Sequence, residues 1–264
     1  MMNPVSLLVS GSRIEGAWWS AGARPPPVVL LHEGLGSVSL WRDFPASLAA
    51  ATGQAIFAYS RFGYGRSDPN PPPWPLDYMH REGLETLPAV LDQAGIGKCV
   101  LVGHSDGASI AAIAAGIGER SRYRGLVLIA PHFFVEDVAL REIAEARGNY
   151  EQGGLRERLA RHHADPDDCF YGWNRAWLNP AFRTSFDLTD ELMHVRVPVL
   201  IVQGERDPYG TAAHAKLAEE VCTCPVQTVL IEAGHDPHLE CPEQILEVIA
   251  GFIRHLVQAH EDAD

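Results

Sequence analysis

The sequence predicts an α/β fold: a mostly parallel, eight-stranded sheet with helices on both faces and one helical insertion. Three observations carry that prediction. Short runs such as Val28-Val29-Leu30-Leu31 and Cys99-Val100-Leu101-Val102 are continuously apolar, as in strands buried on both faces. These runs alternate with stretches of helical periodicity. The alternation stops after residue 130 and resumes near residue 196. Residues 1–130 and 196–264 are therefore predicted to form the core, and 131–195 a helical cap over the carboxyl edge of the sheet.

The elements follow in order. Residues 5–9 and 13–19 read as two strands around the turn Ser10-Gly11-Ser12. Residues 23–27 read as a proline-rich connection and 28–31 as the next strand. His32-Glu33-Gly34-Leu35-Gly36-Ser37 is a glycine-rich loop. The spacing of Trp41, Phe44 and Leu48 predicts a helix over 39–51. A strand over 54–60 leads into the turn-rich loop 61–68. Residues 70–75 hold four prolines, which excludes helix and central strand. A helix over 76–94 is predicted to bend near Pro88. Residues 98–115 read as strand, sharp turn and small-residue helix, and 124–130 as a strand. Residues 131–194 are helical and charged. They carry the aromatic residues Phe133, Phe134, Phe170, Tyr171, Trp173, Trp177 and Phe182, most of them expected to form the cap's own small core. A strand over 197–202, a helix over 209–221, a strand over 226–231 and an amphipathic helix over 242–258 close the fold. Residues 260–264 read as a polar tail.

Composition narrows the class. The chain has 264 residues, 46% of them hydrophobic and 21% charged, ordinary for one large globular domain. A net charge of −13 argues against a nucleic-acid partner and against strongly anionic substrates. Five scattered cysteines match no zinc pattern and read as free thiols of a reducing compartment. The N-terminal residues lack a signal-peptide pattern, and no apolar run reaches membrane-spanning length. The expectation is a cytoplasmic protein, monomer or homodimer, with no membrane partner, no cofactor and no metal.

The chemistry is concentrated at Gly103-His104-Ser105-Asp106-Gly107. A Gly-x-Ser-x-Gly run between a strand and a helix places a nucleophilic serine, Ser105, on a strained turn. Serine needs a base, and the base an orienting acid. Catalytic groups of open parallel sheets gather at the carboxyl ends of strands. His235 follows the last strand and is the expected base, ahead of His238. Asp207 follows the strand 197–202 and is the expected acid; Glu205, Glu136 and Asp137 are its rivals. The backbone N–H of Asp106 supplies one oxyanion donor, and Gly34 or Leu35 the other. The side chain of Asp106 reads as a solvated carboxylate favourable at a helix start. Glu33 lies beside the oxyanion position. It is expected to point away, paired with a cation such as His80 or Arg81, or to contact a polar substrate group. Trp74, Phe133, Phe134, Trp173 and Trp177 are candidates to shape the substrate pocket.

These segments together resemble an α/β-hydrolase with an inserted cap over nearly the whole chain. His32 to Gly36 resembles the family's oxyanion motif. Tyr59 to Ser67 resembles its Asp-x-x-Gly-x-Gly-x-Ser loop, with Ser60 in place of the Asp. Gly103 to Gly107 resembles its nucleophile elbow, and Gly204 to Asp207 and Gly234-His235 its acid and base loops. The resemblance implies the eight-stranded α/β-hydrolase sheet and a serine hydrolase of the esterase or lactonase kind. Its small-molecule substrate would be an ester, lactone or thioester. It equally allows a C–C bond hydrolase of diketones or a proline-iminopeptidase-like amidase. A catalytically silent ligand-binding relative is the non-enzyme alternative. Serine at the apex argues against the haloalkane dehalogenases and epoxide hydrolases that the chain also resembles, which use aspartate there.

Overall fold

The computed structural model describes residues 2–20 and 24–261. Residue 23 of the expected proline connection and 262–264 of the expected tail lie outside the described residues. Eight strands form one sheet: β1 (Met2–Val9), β2 (Ser12–Trp19), β3 (Arg24–Leu31), β4 (Gln54–Tyr59), β5 (Cys99–His104), β6 (Tyr123–Ile129), β7 (Val199–Gly204) and β8 (Val226–Ile231). Their spatial order is β1-β2-β4-β3-β5-β6-β7-β8. The β1–β2 and β2–β4 pairs are antiparallel, and every other pair is parallel. The expected proline connection is a correction: β3 already begins at Arg24, with a register irregularity before Val28 on the β4 side.

The continuous apolar runs are explained by the two faces they fill. Side chains alternate along a strand, so Val28 and Leu30 enter one core and Val29 and Leu31 the other. Val100, Val102, Val127, Leu200 and Val202 pack with the first pair against α1 (Phe44–Thr52) and the closing helix α12 (Pro242–Glu261). Leu101 and Ile201 share the second face with the alanine-rich α4 (Asp106–Ile117). Each fully buried aliphatic side chain contributes about 1.5–3 kcal/mol, so this sheet is a rigid platform for the loops at its carboxyl end.

Several boundaries differ from expectation. The stretch before α1 is a separate 3₁₀ turn, Val38–Trp41. The expected helix with a bend at Pro88 is α2 (Tyr78–Arg81), a π turn (Glu82–Thr86) and α3 (Leu87–Gln93). Pro88 is the second residue of α3, directly after the π turn in a run that stays helical from Tyr78, so its missing N–H falls where the helical ladder is already irregular. The irregularity is the π turn, where Gly83 packs so closely on α4 that an added Cβ would stand 3.1 Å from the Ile110 carbonyl oxygen.

Between β6 and β7 come α5 (Asp137–Gln152), α6 (Leu155–Leu159), α7 (Pro166–Trp177), α8 (Pro180–Ser185) and α9 (Thr189–His194). Asp165 caps α7 by accepting from the N–H groups of Asp167 and Asp168, and Pro166 opens it. The expectation of a separate small core in this segment does not hold. Phe170, Trp173, Trp177 and Phe182 belong to the same apolar cluster as Val29 and Leu101 of the sheet. Between β7 and β8 comes α10 (Ala213–Val221), and α11 (Pro237–Glu240) lies between β8 and α12.

Candidate active site

Ser105 stands at the junction of β5 and α4 with φ 53° and ψ −118°, a conformation costly for any residue with a side chain. The chain tolerates it because its neighbours are glycines. A Cβ on Gly103 would meet the Gly107 carbonyl oxygen at 2.3 Å, and one on Gly107 would meet the Leu31 oxygen at 2.0 Å. The turn is thus locked between β5, α4 and the end of β3, with Ser105 6% exposed at its apex.

Of the candidate acids, Asp207 is the one beside His235. His235 Nδ1 lies 2.9 Å from both Asp207 carboxylate oxygens. Asp207 also accepts from Gln203 Nε2 at 2.9 Å and from the N–H groups of Tyr209 and Gly210 at 2.8 and 3.3 Å. Burial opposes its charge, but the His235 bond and these donors hold its carboxyl below the ordinary range. An ionised carboxylate only accepts, so the proton shared with His235 sits on Nδ1 and the Nε2 lone pair is left free. No hydrogen bond joins Nε2 to the Ser105 hydroxyl among the described residues; such bonds often tighten only with substrate present.

Glu136 has a different partner. It lies 3.0 Å from His214 Nε2 and accepts from the N–H and hydroxyl of Thr211, both at 2.8 Å. His214 Nδ1 accepts from the Phe133 N–H, so its proton is on Nε2, facing Glu136. Despite partial burial these bonds hold the Glu136 carboxyl at about 2. Glu205 and Asp137 are exposed, and Asp137 pairs with Arg183. Glu136→Gln is expected to keep kcat within about threefold while costing about 1–3 kcal/mol of stability. Steady-state kinetics and a thermal melt check this; a kcat loss above a hundredfold would make Glu136 the acid.

The loop after β3 is held by its carbonyls. Arg61, two residues past the end of β4, donates Nη1 to the His32 oxygen and Nη2 to the Glu33 oxygen. His32 Nδ1 donates to the Glu33 oxygen, and its Nε2 accepts from the Arg61 N–H. His163 accepts from the Gly65 N–H at Nδ1 and donates Nε2 to the Leu35 oxygen at 2.9 Å. Among the described residues, no protein acceptor takes the N–H of Gly34, Leu35 or Asp106. Trp173 packs edge-on against Gly34, where an added Cβ would stand 2.2 Å from its Nε1.

Residues 28–248 match the sequence model of the alpha/beta hydrolase family. The chain belongs to the alpha/beta hydrolase family. This hydrolase is 23% identical over 256 residues to 3-oxoadipate enol-lactonase 1 of Acinetobacter baylyi, covering 88% of this chain and 91% of that protein. It is 26% identical over 256 residues to the pimeloyl-[acyl-carrier protein] methyl ester esterase of Aeromonas salmonicida, covering 86% and 95%. Its fold superposes on an esterase from Exiguobacterium antarcticum with a TM-score of 0.75 at 19% identity, covering 96% of this chain and all of that one. The protein is an enzyme of the hydrolase class. No described helix of the hydrolase is long and apolar enough to cross a membrane.

The two carboxylates beside Ser105 behave differently from expectation. Asp106 is not solvated: it is 1% exposed, accepting from the Tyr78 hydroxyl at 2.6 Å and Trp177 Nε1 at 3.2 Å. Burial raises its pKa despite those donors and nearby Arg61. Glu33 pairs with neither His80 nor Arg81, which bond Glu191 and Asp77 at 2.9 and 3.0 Å. Its Oε2 instead faces His104 Nδ1 at 3.7 Å. The pocket candidates also separate. Trp173 lies against Gly34 in the loop after β3, while Trp177 is buried on Asp106. Phe133 is wholly buried, and the ring of Phe134 lies 4.3 Å from that of His214, tilted by 38°. Trp74 borders a separate cleft of about 380 Å³ with Arg61, Phe62 and Tyr78, which does not include Ser105.

The hydrolase buries an unusual set of histidines. His238, the alternative base, packs 5.1 Å from Trp41 and 4.9 Å from His104, away from Asp207. His104, Asp236 and His238 lie close enough to share a cation, with ligand atoms within 4.8 Å of one another. However, His104 Nε2 donates to the His235 carbonyl at 2.8 Å, and a protonated nitrogen has no lone pair for a metal. Burial pushes His163 down to about 4 and His238 to about 3, and it lowers His32 and His132 as well. A lowered folded pKa gives stability that is present above about pH 6.5 and is lost as pH falls toward the folded value. At pH 5, His163 and His238 should each have lost about 2 kcal/mol. The melting temperature is expected to drop by roughly 5–15 °C between pH 7.5 and pH 5; an unchanged value would contradict neutral burial.

Proposed function

We propose that the enzyme cleaves an ester, lactone or thioester of a small organic substrate through an acyl-enzyme on Ser105. The observations that carry this reading are the strained Ser105 turn, a histidine whose Nδ1 proton is held by Asp207, and the tie from His104, next to Ser105, to that histidine's carbonyl. In this reading Ser105 Oγ attacks the substrate carbonyl carbon, and its proton passes to His235 Nε2. Asp207 stabilises the imidazolium without taking a proton. The N–H of Asp106 and that of Gly34 or Leu35 receive the oxyanion, since no protein group competes for them. His235 then protonates the leaving oxygen or sulfur, the carbonyl re-forms, and the C–O or C–S bond breaks. Water, deprotonated by His235, attacks the acyl-enzyme and releases the acid and Ser105.

Residues 131–195 act in this reading as a cap, bringing Trp173 onto Gly34. The low exposure of Ser105 favours a small acyl group. The names of the two curated relatives, an enol-lactonase and a methyl ester esterase, support a carboxylic ester or lactone. The test is a hydrolysis screen over p-nitrophenyl esters of increasing acyl length, lactones, diketones and aminoacyl anilides. Turnover of esters or lactones with a preference for short acyl chains is expected. Turnover confined to anilides or diketones would overturn the assignment.

A further inference from the structure

Behind Ser105 and His235 lies a group that the proposed reaction does not use. His104, the last residue of β5, is fully buried. Its Nε2 lies 2.8 Å from the His235 carbonyl oxygen. A carbonyl only accepts, so that nitrogen carries a proton. The other nitrogen, Nδ1, has no hydrogen-bond partner among the described residues and faces Glu33 Oε2 at 3.7 Å. A lone pair on Nδ1 would be set against a carboxylate that is three-quarters buried, where water screens the repulsion only in part. A second proton reverses the sign of that contact. The remaining groups around the ring do not reverse it back. Asp236 Oδ1 lies 3.9 Å from Nε2 and favours a cation. The rings of His235 and His238 lie at 5.1 and 4.9 Å, and Trp41 at 6.5 Å. His238 and His132, the next imidazole along the carboxyl edge, are kept neutral mainly by burial. Burial opposes a charge on His104, but Glu33 and Asp236 outweigh it and raise its pKa, while Glu33 is held well below the carboxylate range.

We propose that Glu33 and the buried His104 form an ion pair that clamps the His235 carbonyl to the end of β5, making both of them positioning residues for the base. The role of His235 as base rests on the reading above. The pair joins three parts of the site. Glu33 belongs to the oxyanion loop, His104 to the strand that carries Ser105, and the clamped carbonyl to the base loop. That loop has a second tie, where Glu240 accepts from the N–H groups of Gly234 and Asp236 at 2.8 and 3.3 Å. The clamp therefore sets the position of His235 rather than its existence as a folded loop.

The test is long-range ¹H–¹⁵N correlation NMR of histidine-labelled free enzyme at pH 7.5, with His104 assigned by its absence in His104→Gln. Both His104 ring nitrogens should be protonated in the wild type, and one only in Glu33→Gln. Glu33→Gln should lower kcat about tenfold with KM within twofold, and Glu33→Asp should recover part of the loss. The double variant should be no slower than His104→Gln alone. A singly protonated His104 in the wild type, or unchanged kcat in Glu33→Gln, would overturn the proposal. If Glu33→Gln does not fold, the wild-type spectrum still decides. Failure of wild-type Ser105 to react with a fluorophosphonate would sink the acyl-enzyme reading instead, and the protonation state of His104 would still be read independently.

Discussion

Ser105→Ala is expected to lower kcat/KM by about 10⁴–10⁶ while leaving the fold and melting temperature nearly unchanged. Catalysis and stability separate at this residue. The Ser105 hydroxyl makes no hydrogen bond among the described residues, so deleting it breaks no structural contact. The turn itself is enforced by Gly103 and Gly107, and alanine pays the same backbone cost as serine at φ 53°. Stability should therefore move by no more than about 0.5 kcal/mol. Activity should fall to what substrate binding and the oxyanion donors supply alone. Kinetics alongside a thermal melt check both. A tenfold loss or less would place the nucleophile elsewhere.

Asp207→Asn should cost about 10⁴ in kcat, the magnitude of the same substitution in the catalytic triad of a serine protease. An asparagine amide facing His235 Nδ1 can donate, so it favours the tautomer with the proton on Nε2. That tautomer has no lone pair for the Ser105 proton. The N–H groups of Tyr209 and Gly210 would still find the side-chain oxygen, so the loop should keep its shape. The pH dependence should change along with the rate, because the charge that stabilises the imidazolium is gone. A loss similar to that of Glu136→Gln would reverse the roles of the two carboxylates.

The inner strands of the sheet, β5 and β7 above all, were legible because they are buried on both faces and read as apolar runs. The order of Ser105, Asp207 and His235 was legible because each stands in the loop that follows an expected strand. The same rule points to His32 and Arg61, which also follow expected strands, yet a buried arginine bonded to two loop carbonyls has no motif to announce it. Arg24 to Pro27 was misread because prolines argue against a strand in general, whereas here they precede the tightly paired part of β3. The partners of Glu33 and Asp106 were out of reach for a different reason. His104 lies 71 positions from Glu33, and Trp177 lies 71 positions from Asp106. Only the folded chain shows which carboxylate meets an imidazole and which a phenol and an indole. The π turn announced itself only through the bend expected near Pro88; the value of Gly83 lies in its contact with α4.

The most direct test of the account is covalent. Wild-type protein incubated with an alkyl fluorophosphonate should gain the mass of one phosphonyl group, and peptide mapping should place it on Ser105. Ser105→Ala should stay unmodified, and Asp207→Asn should react far more slowly. An unreactive wild type, or an adduct on any other residue, would contradict an activated nucleophile at this turn.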